Sequence, residues 1–215
     1  MNAEDNRDMI VRYTAGARIN HWIVAISFVL VALSGLALFH PAFFWLTNLL
    51  GGGPWTRILH PFIGCVMIVA FYRFSLGIWR YNFFDERDWL WLRKVPDVMS
   101  NREQNVPEAG RYNAGQKLLF YSIIACLMGL LLSGIVIWRV YFSAFFPIGL
   151  IRLASLLHSF CAFVLICAIV VHVYMAIWEK GSMRAMTRGR VSLGWAWKNH
   201  RAWFREVTKS IPQKR

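Results

Sequence analysis

Two histidines lie in one long apolar stretch of this chain, and they are the side chains in it best suited to chemistry. The stretch runs from Leu153 to Trp178 without a charged residue, with His158 and His172 fourteen positions apart. In an α-helix this spacing separates them by roughly 21 Å along the axis and leaves them within about 40° of one face. Neutral imidazole is a good axial ligand of haem iron. The spacing therefore favours two haem sites at different depths of a membrane.

Two further histidines supply a partner at each depth. His21 lies near the start of the first apolar stretch and His60 near the start of the second. Because successive spans cross the membrane in opposite directions, depth alone pairs His21 with His172. It pairs His60 with His158 in the same way. Two imidazoles fill both axial positions of an iron, and such a site suits electron transfer rather than chemistry at the metal.

The haems are predicted to be of b type, because the chain has no C-x-x-C-H pattern for covalent attachment. Two other interpretations of the four histidines stay open. They could form hydrogen bonds with neighbouring helices, or they could relay protons or bind solute in a haem-free anchor or transporter. His40 and His200 are assigned to neither haem, and no catalytic residue is predicted.

Four apolar stretches must position these histidines. Each is about 20 residues long or longer, which is enough to cross the hydrocarbon core of a membrane. The second contains one charged residue, Arg73, close enough to its end to snorkel. We predict an all-α membrane protein: a four-transmembrane-helix bundle that binds two b haems and forms a single domain over 1–215. The predicted helices cover about 18–39, 57–79, 117–138 and 151–178.

The distribution of basic residues predicts the orientation of the chain. Only Arg57, Arg139 and Arg152, of 24 Lys and Arg residues, fall in the two connections opposite the termini. By the positive-inside rule both termini are then cytoplasmic, in a bacterial cytoplasmic (inner) membrane. The formal net charge of +13 is explained by this topology, so no nucleic-acid partner is predicted.

The last predicted segment is a basic cytoplasmic tail over 179–215. It combines basic residues with Trp195, Trp197, Trp203 and Phe204. This composition suits a segment that lies on the inner membrane surface or on a partner protein.

Small and basic residues near the histidines are consistent with haem binding. Gly35, Gly64 and Gly134 lie within spans, where a flat macrocycle needs close approach of the backbone. Ordinary packing of small residues between helices explains them equally well. Arg18, Arg57 and Arg152 lie at interfaces, where they could pair with haem propionates or serve as topological anchors.

Several motifs carry a resemblance to a known family. They are Ile10-Val11-Arg12-Tyr13-Thr14, Arg18-Ile19-Asn20-His21-Trp22, Arg57-Ile58-Leu59-His60-Pro61, Gly110-Arg111-Tyr112-Asn113 with Gly115-Gln116-Lys117, and Leu157-His158-Ser159-Phe160. In these motifs the chain resembles the cytochrome b (gamma) subunit of respiratory membrane-bound formate dehydrogenase. The likeness covers nearly the whole chain, and the G-R-Y-N-x-G-Q-K run is its most specific part.

The resemblance implies a quinone site beside the inner haem. The inner haem would be held by His21 and His172, and the outer haem by His60 and His158. Menaquinone or ubiquinone would bind at Asn113, Gly115, Gln116 and His172. An amide and backbone N–H groups can donate hydrogen bonds to a quinone carbonyl and to the oxyanion formed on reduction. Alternatively Asn113 caps the third span, and both roles can hold at once.

The resemblance also implies partners in an electron-transfer chain. A molybdenum- or tungsten-containing catalytic (alpha) subunit would oxidise formate outside, and an iron–sulfur (beta) subunit would deliver electrons to the outer haem. The chain is therefore predicted to be an electron-transfer and quinone-reducing subunit, embedded in membrane lipid and without a formate site of its own. The same-class alternative is the cytochrome b subunit of a membrane hydrogenase or of another dihaem quinone oxidoreductase.

Overall fold

The structure is a computed structural model that describes residues 9–100, 102 and 106–209. In chain order its elements are β1 (Met9–Val11), α1 (Ala15–Phe39), a 3₁₀ helix (Pro41–Leu50), α2 (Gly53–Ile78), a 3₁₀ turn (Trp79–Tyr81), α3 (Glu86–Arg93), α4 (Val95–Met99), α5 (Ala114–Ile137), a 3₁₀ turn (Ser143–Phe145), α6 (Ile148–Trp178), α7 (Ser182–Arg188), β2 (Arg190–Ser192), α8 (Leu193–Asn199) and α9 (Arg201–Lys209). Four of them, α1, α2, α5 and α6, are long and apolar enough to cross a membrane. This confirms the predicted all-α membrane fold with four spanning helices.

Each spanning helix begins about one turn before the predicted start. The apolar run marks the part that crosses lipid, but a helix also has a polar first turn. Thr14 precedes α1, and its hydroxyl accepts a hydrogen bond from the Ala17 N–H at 3.3 Å. The first turn of α2 contains Pro54, a residue favoured there because the missing N–H has no helical partner.

One compact unit comprises Ile19–Leu76 and Ser122–Tyr174 and contains most of each spanning helix. All four helices contribute to its core, which also buries a polar tie: the Asn20 amide donates to the Ala70 carbonyl at 2.7 Å. Between 11% and 22% of each spanning window is buried inside the protein. The outward faces are therefore apolar and suited to lipid contact. The core residues are Met67, Cys126, Leu127, Cys161 and Leu165, with Val24 and Phe28 packed against them.

The second compact unit consists of the described parts of Met1–Arg18, Gly77–Tyr121 and Met175–Arg215. It contains an antiparallel pair of strands, β1 and β2, in which Ile10 lies opposite Val191. The sequence analysis did not predict these strands, because three residues are too few to show an alternating pattern. Within the fold they bring the start of the chain to the segment that follows the last span.

The predicted surface role of the C-terminal aromatic residues is wrong for two of them. Trp195 is 8% exposed and Trp203 3% exposed, in a core with Ile10 and Val191. Trp197 alone among the tail tryptophans is largely exposed, at 47%. A tryptophan-rich basic segment fits a membrane surface and a small folded core equally well, and only the β1–β2 pairing distinguishes them. Residues 210–215 of the predicted tail lie outside the described part.

Candidate functional site

The structure brings His60 of α2 and His158 of α6 together. Their ring centroids are 6.4 Å apart and the ring planes are inclined by 59°. An imidazole nitrogen binds a first-row metal ion at about 2 Å, so two rings on opposite sides of one ion have centroids roughly 6 Å apart. The observed spacing suits a single iron between the two rings. The ligand role of these two histidines stays a prediction.

Each of these two rings is held by a serine of the preceding helix. Ser34 Oγ of α1 lies 2.8 Å from His60 Nδ1, and Ser133 Oγ of α5 lies 3.0 Å from His158 Nδ1. The serines are buried, at 2% and 3% exposed. Each hydroxyl also donates to a backbone carbonyl one turn earlier in its own helix, that of Val31 for Ser34. Nδ1 of both rings is therefore engaged, and Nε2 is the nitrogen left for a metal.

Glycines directly after these serines make room for the rings. A Cβ built on Gly35 would lie 3.3 Å from His60 Cε1, and one on Gly134 would lie 3.5 Å from His158 Cε1. In this structure the group that closely approaches each of these two glycines is an imidazole ring. Gly64, one turn after His60, has no atom within 4 Å of its ideal Cβ. That open space is compatible with the flat macrocycle expected there.

The other predicted pair lies in the same compact unit. His21 of α1 and His172 of α6 are close enough to interact electrostatically. His21 packs against Phe74, with ring centroids 5.8 Å apart. Its Nδ1 is buried and has no hydrogen-bond partner among the described residues. A buried polar atom without a partner calls for a further group at the site.

The donor set fits haem b. Among the described residues no group of three or more His, Cys, Asp or Glu side chains could hold a metal ion by itself. A pair of imidazoles therefore suits an ion that brings its remaining ligands with it, as porphyrin iron would. His60 and His158 would hold one haem, and His21 and His172 the other.

Three of the four predicted quinone residues, Asn113, Gly115 and Gln116, lie in the other compact unit, at the start of α5. Asn113 Oδ1 accepts a hydrogen bond from the Gln116 N–H at 2.9 Å, and Gln116 Oε1 accepts one from the Asn113 N–H at 3.1 Å. This reciprocal capping box explains why α5 begins here. It uses both amide oxygens and leaves both amide NH₂ groups as donors. Their proximity to His172, and their role toward quinone, stay predictions.

Two residues of the same motif meet α3 in that unit. A Cβ on Gly115 would lie 3.2 Å from the ring of Trp91, so only glycine gives this ring its full space. Lys117 Nζ forms a 2.6 Å ion pair with Asp88, and both side chains are under 10% exposed. Lys117 also donates to the Phe83 carbonyl at 2.9 Å. The sequence analysis missed Trp91 and Asp88, which lie in the connection before α5.

A polar pocket of about 220 Å³ adjoins these residues. Its lining includes Asn113, Lys117, Asp88, Asp85 and Trp91. Burial alone would raise the pKa of Asp85, but the hydrogen bond and the positive charge of Arg87 lower it. The lining therefore keeps the carboxylate of Asp85 ionised in the pocket that Asn113 also lines.

Arg12 and His200 form a buried polar centre in the same unit that the sequence analysis did not foresee. Arg12 is 4% exposed, and its guanidinium lies 5.0 Å from the ring centre of Trp195 and 4.8 Å from that of Trp203. Its Nη2 donates to the Arg111 carbonyl at 2.6 Å and lies 3.3 Å from His200 Nε2. Arg12, which belongs to one of the motifs that carry the family resemblance, therefore has a structural role in this core.

The partners of His200 fix its charge and tautomer. Nδ1 lies 2.8 Å from the Gly110 carbonyl, which only accepts, so Nδ1 carries the proton. Nε2 then accepts from Arg12. Burial, followed by the charge of Arg12, lowers the pKa of His200 to about 3. Burial and the neighbouring Tyr13 hydroxyl likewise raise the pKa of Tyr112 well above its usual range.

Comparison with known proteins places this arrangement in a family. A family model described as prokaryotic cytochrome b561 matches residues 12–189. The chain is 46% identical to the formate dehydrogenase cytochrome b556(fdo) subunit of Escherichia coli strain K12, over 97% of this chain and 98% of the relative. The chain belongs to the formate dehydrogenase cytochrome b subunits. The predicted family is thereby confirmed.

Two further relatives of this cytochrome b family match along nearly the whole chain. The nitrate-inducible formate dehydrogenase cytochrome b556(Fdn) subunit of Escherichia coli strain K12 is 42% identical, over 96% of this chain and 95% of the relative. The formate dehydrogenase cytochrome b556 subunit of Haemophilus influenzae strain Rd is also 42% identical, over 95% and 86%. Membership of the cytochrome b561 family implies haem b, and the four apolar helices make this cytochrome an integral membrane protein.

Proposed function

We propose that this cytochrome binds two haems b and carries electrons from an iron–sulfur subunit of a formate dehydrogenase to quinone near the cytoplasmic face. The geometry of His60 and His158 carries the proposal, because their rings stand at the separation that one iron requires. His21 and His172 lie in the same compact unit, and the buried Nδ1 of His21 has no hydrogen-bond partner among the described residues, which supports a second site.

The four histidines would bind the haem irons but would not react with any substrate. When bound, each haem supplies one-electron redox chemistry. His60 and His158 present Nε2, because their Nδ1 atoms are engaged by serine hydroxyls. Two histidines on each haem iron would leave oxygen and substrate no vacant position at the metal. These sites therefore suit electron transfer alone.

Quinone reduction is proposed at the start of α5, with Asn113, Gly115, Gln116 and His172 as the binding residues. The NH₂ groups of Asn113 and Gln116 are not used by the capping box, so they can donate hydrogen bonds to a quinone oxygen. Such donors stabilise the oxyanion that forms on reduction. The polar pocket beside Asn113 supports access of water and protons to this end of the helix.

The orientation and partners follow from charge and family. We infer that both termini are cytoplasmic in a bacterial inner membrane, because 21 of the 24 Lys and Arg residues fall on that side under the predicted topology. An iron–sulfur (beta) subunit and a molybdenum- or tungsten-containing catalytic (alpha) subunit would lie outside. The names of the relatives, formate dehydrogenase subunits, support such a complex.

Haem content of histidine variants tests the proposal. The purified wild-type complex should contain two haems b per copy of this chain by pyridine haemochrome analysis. His60→Ala or His158→Ala should remove one haem, since one imidazole cannot fill both axial positions. His21→Ala or His172→Ala should remove the other. His40→Ala is the control, because His40 is exposed and accepts a hydrogen bond from the Ala42 N–H outside the predicted sites.

Other outcomes would favour the alternatives. A colourless wild-type preparation would indicate a haem-free anchor or transporter. A nickel–iron subunit in the purified complex, in place of a molybdenum or tungsten subunit, would indicate a hydrogenase. Loss of haem in His40→Ala to the same extent as in His60→Ala would contradict the assignment of ligands.

The quinone role of Asn113 is separable from its capping role. Aspartate and serine both cap helices well, but neither has an amide NH₂ group. Asn113→Asp and Asn113→Ser should therefore keep α5 intact and both haems bound. Formate-driven quinol formation should slow by roughly tenfold or more, because a hydrogen-bond donor to the reduced oxygen is lost. Unchanged quinol kinetics in the serine variant would remove the amide of Asn113 from the site.

A further inference from the structure

The two serines that hold His60 and His158 belong to a repeated feature of the fold. On α1 the pair Ser34-Gly35 meets His60, and on α5 the pair Ser133-Gly134 meets His158. The serine precedes its histidine by 26 residues in one case and 25 in the other. In both cases the serine contacts Nδ1 and the glycine accommodates Cε1. We call each Ser-Gly pair an imidazole clamp.

We infer that the two clamps are positioning elements for the haem held by His60 and His158, and that they set its redox potential. This inference rests on the proposed function, since it concerns the haem assigned to those histidines. The clamps touch only the ligands, so they act on the haem through the orientation and basicity of the two imidazoles.

The hydrogen-bond directions follow from the chemistry of each group. A ring that gives Nε2 to iron keeps its proton on Nδ1, and this N–H then donates to the serine oxygen. The serine hydroxyl is free to do so, because it donates its own proton to a carbonyl of its helix. The result is a chain of two hydrogen bonds, from the imidazole to the serine and from the serine to a backbone carbonyl. Both ligands are thereby fixed in the tautomer that iron requires.

The same chain of hydrogen bonds makes the ligands more basic. When the ring donates a hydrogen bond from Nδ1–H to the serine, the electron density at the metal-bound nitrogen Nε2 rises. A more basic ligand stabilises ferric over ferrous iron, so the clamps lower the midpoint potential of this haem. The other predicted site lacks this feature at His21, whose buried Nδ1 has no hydrogen-bond partner in the described part of the chain. A lower potential at the first haem favours transfer onward to the second.

The clamp glycines add a steric requirement. A methyl group on Gly35 would approach Cε1 of His60 to 3.3 Å, which is closer than most Cβ contacts allow without movement. At Gly134 the corresponding distance to Cε1 of His158 is 3.5 Å, an ordinary van der Waals contact, so the requirement for glycine is strict only at Gly35. On α1 the serine bonds the ring at Nδ1, and the glycine leaves room for the adjacent carbon.

Redox titration of the purified complex tests the inference. Ser34→Ala and Ser133→Ala should each retain two haems, but the haem that is lost in His60→Ala should become easier to reduce. Its reduction equilibrium constant should rise roughly two- to tenfold, where tenfold corresponds to 59 mV for a one-electron couple. Ser34→Thr and Ser133→Thr keep the hydroxyl and should restore the wild-type potential. The electron paramagnetic resonance signal of the same ferric haem should shift with the potential.

Ser27→Ala is the matched control. Ser27 is also buried in α1 and donates to a carbonyl of its own helix, that of Ile23, and among the described residues no hydrogen bond joins it to a histidine. Its haem potentials should match the wild type. If one haem is lost in Ser34→Ala but retained in Ser34→Thr, the hydroxyl is required and the inference stands.

Three results would overturn the inference. The potentials of haem-replete alanine variants could equal those of the wild type, or Ser27→Ala could shift the potentials as much as Ser34→Ala does. The threonine variants could also lose haem just as the alanine variants do. None of these changes the haem count of the wild type, so they leave the proposed function intact. If His60→Ala retained every haem, the proposed function itself would fail.

Discussion

At the scale of single residues, the histidines of this chain have opposite environments. The four predicted ligands are partly exposed within the spanning unit, where room for a cofactor remains. His200 is 0% exposed and makes two hydrogen bonds with partners of fixed polarity, Gly110 and Arg12. An imidazole so enclosed has no position left for a metal. Burial therefore separates the structural histidine, His200, from the four predicted ligands, and residue type does not.

The low pKa of His200 predicts a pH-dependent stability. Its pKa is about 3 in the folded protein and about 6.5 when the chain is unfolded. The stability gained by keeping the ring neutral is complete above pH 6.5 and is lost as the pH falls from 6.5 toward 3. As the pH falls below 6.5 the loss should approach about 1.4 kcal/mol per pH unit. Hydrogen exchange of α8 and α9 should show this loosening.

A variant that does not titrate provides the control. His200→Gln should be less stable at neutral pH, because it loses one of two buried hydrogen bonds. Its stability should change little between pH 7.5 and 5.5, where most carboxylates stay ionised. An equal pH slope in wild type and His200→Gln would show that another group controls the transition.

At the scale of elements, α3 is tied to the start of α5 by one buried ion pair. Lys117 and Asp88 are 2.6 Å apart, and Asp88 also accepts from the Asp85 N–H in the capping box of α3. A carboxylate that serves two elements cannot be removed without affecting both. The described part of the connection between α2 and α5 is therefore folded.

Breaking this pair should be far more costly than breaking an exposed one. Asp88→Ala leaves a buried ammonium without its partner, which costs about 3–5 kcal/mol. Glu108→Ala breaks the exposed pair with Arg205, whose side chains are 34% and 55% exposed, and should cost less than about 1 kcal/mol. Limited proteolysis between α2 and α5, together with thermal unfolding in detergent, would measure the difference.

The double variant Asp88→Leu with Lys117→Met separates charge from packing. Replacing both members of a buried ion pair by apolar residues is often close to neutral. The double variant should therefore recover most of the stability lost in Asp88→Ala. A double variant as unstable as the single one would show that hydrogen bonds of these two residues, and not the unpaired charge, dominate.

At the scale of the whole molecule, the two compact units follow different physical rules. The spanning unit buries few of its side chains inside the protein and leaves large apolar residues such as Phe163 and Val69, each 68% exposed, on its outward faces. In lipid this exposure carries no penalty, and helix contacts depend on packing and polar ties instead. The other unit has a core of its own, centred on Trp195, Trp203 and Val191.

The net charge of +13 is also a property of the whole molecule. It comes from 24 basic and 11 acidic residues, and no single site in the described residues accounts for it. A bias of this kind orients a membrane protein during insertion. The prediction that the termini are cytoplasmic depends on this distribution and not on any contact within the fold.

The sequence by itself determined the four spans and the candidate ligands. Apolar runs long enough to cross a membrane are rarely stable in any other environment. Their number and approximate ends therefore follow from composition. His21, His60, His158 and His172 stand out because imidazole is costly in lipid unless it has a partner. Helical periodicity then shows that the fourteen-residue spacing on the last span places His158 and His172 near one face of the helix at different depths.

Only the tertiary structure decided which side chains support those ligands and how the tail folds. Ser34 meets His60 across two helices, and neither sequence separation nor composition indicates such a contact. The pairing of β1 with β2, which buries Trp195, joins residues about 180 positions apart. These contacts depend on the rotation of each helix about its axis and on which surfaces meet. Local propensity and hydrophobic periodicity do not specify either of them.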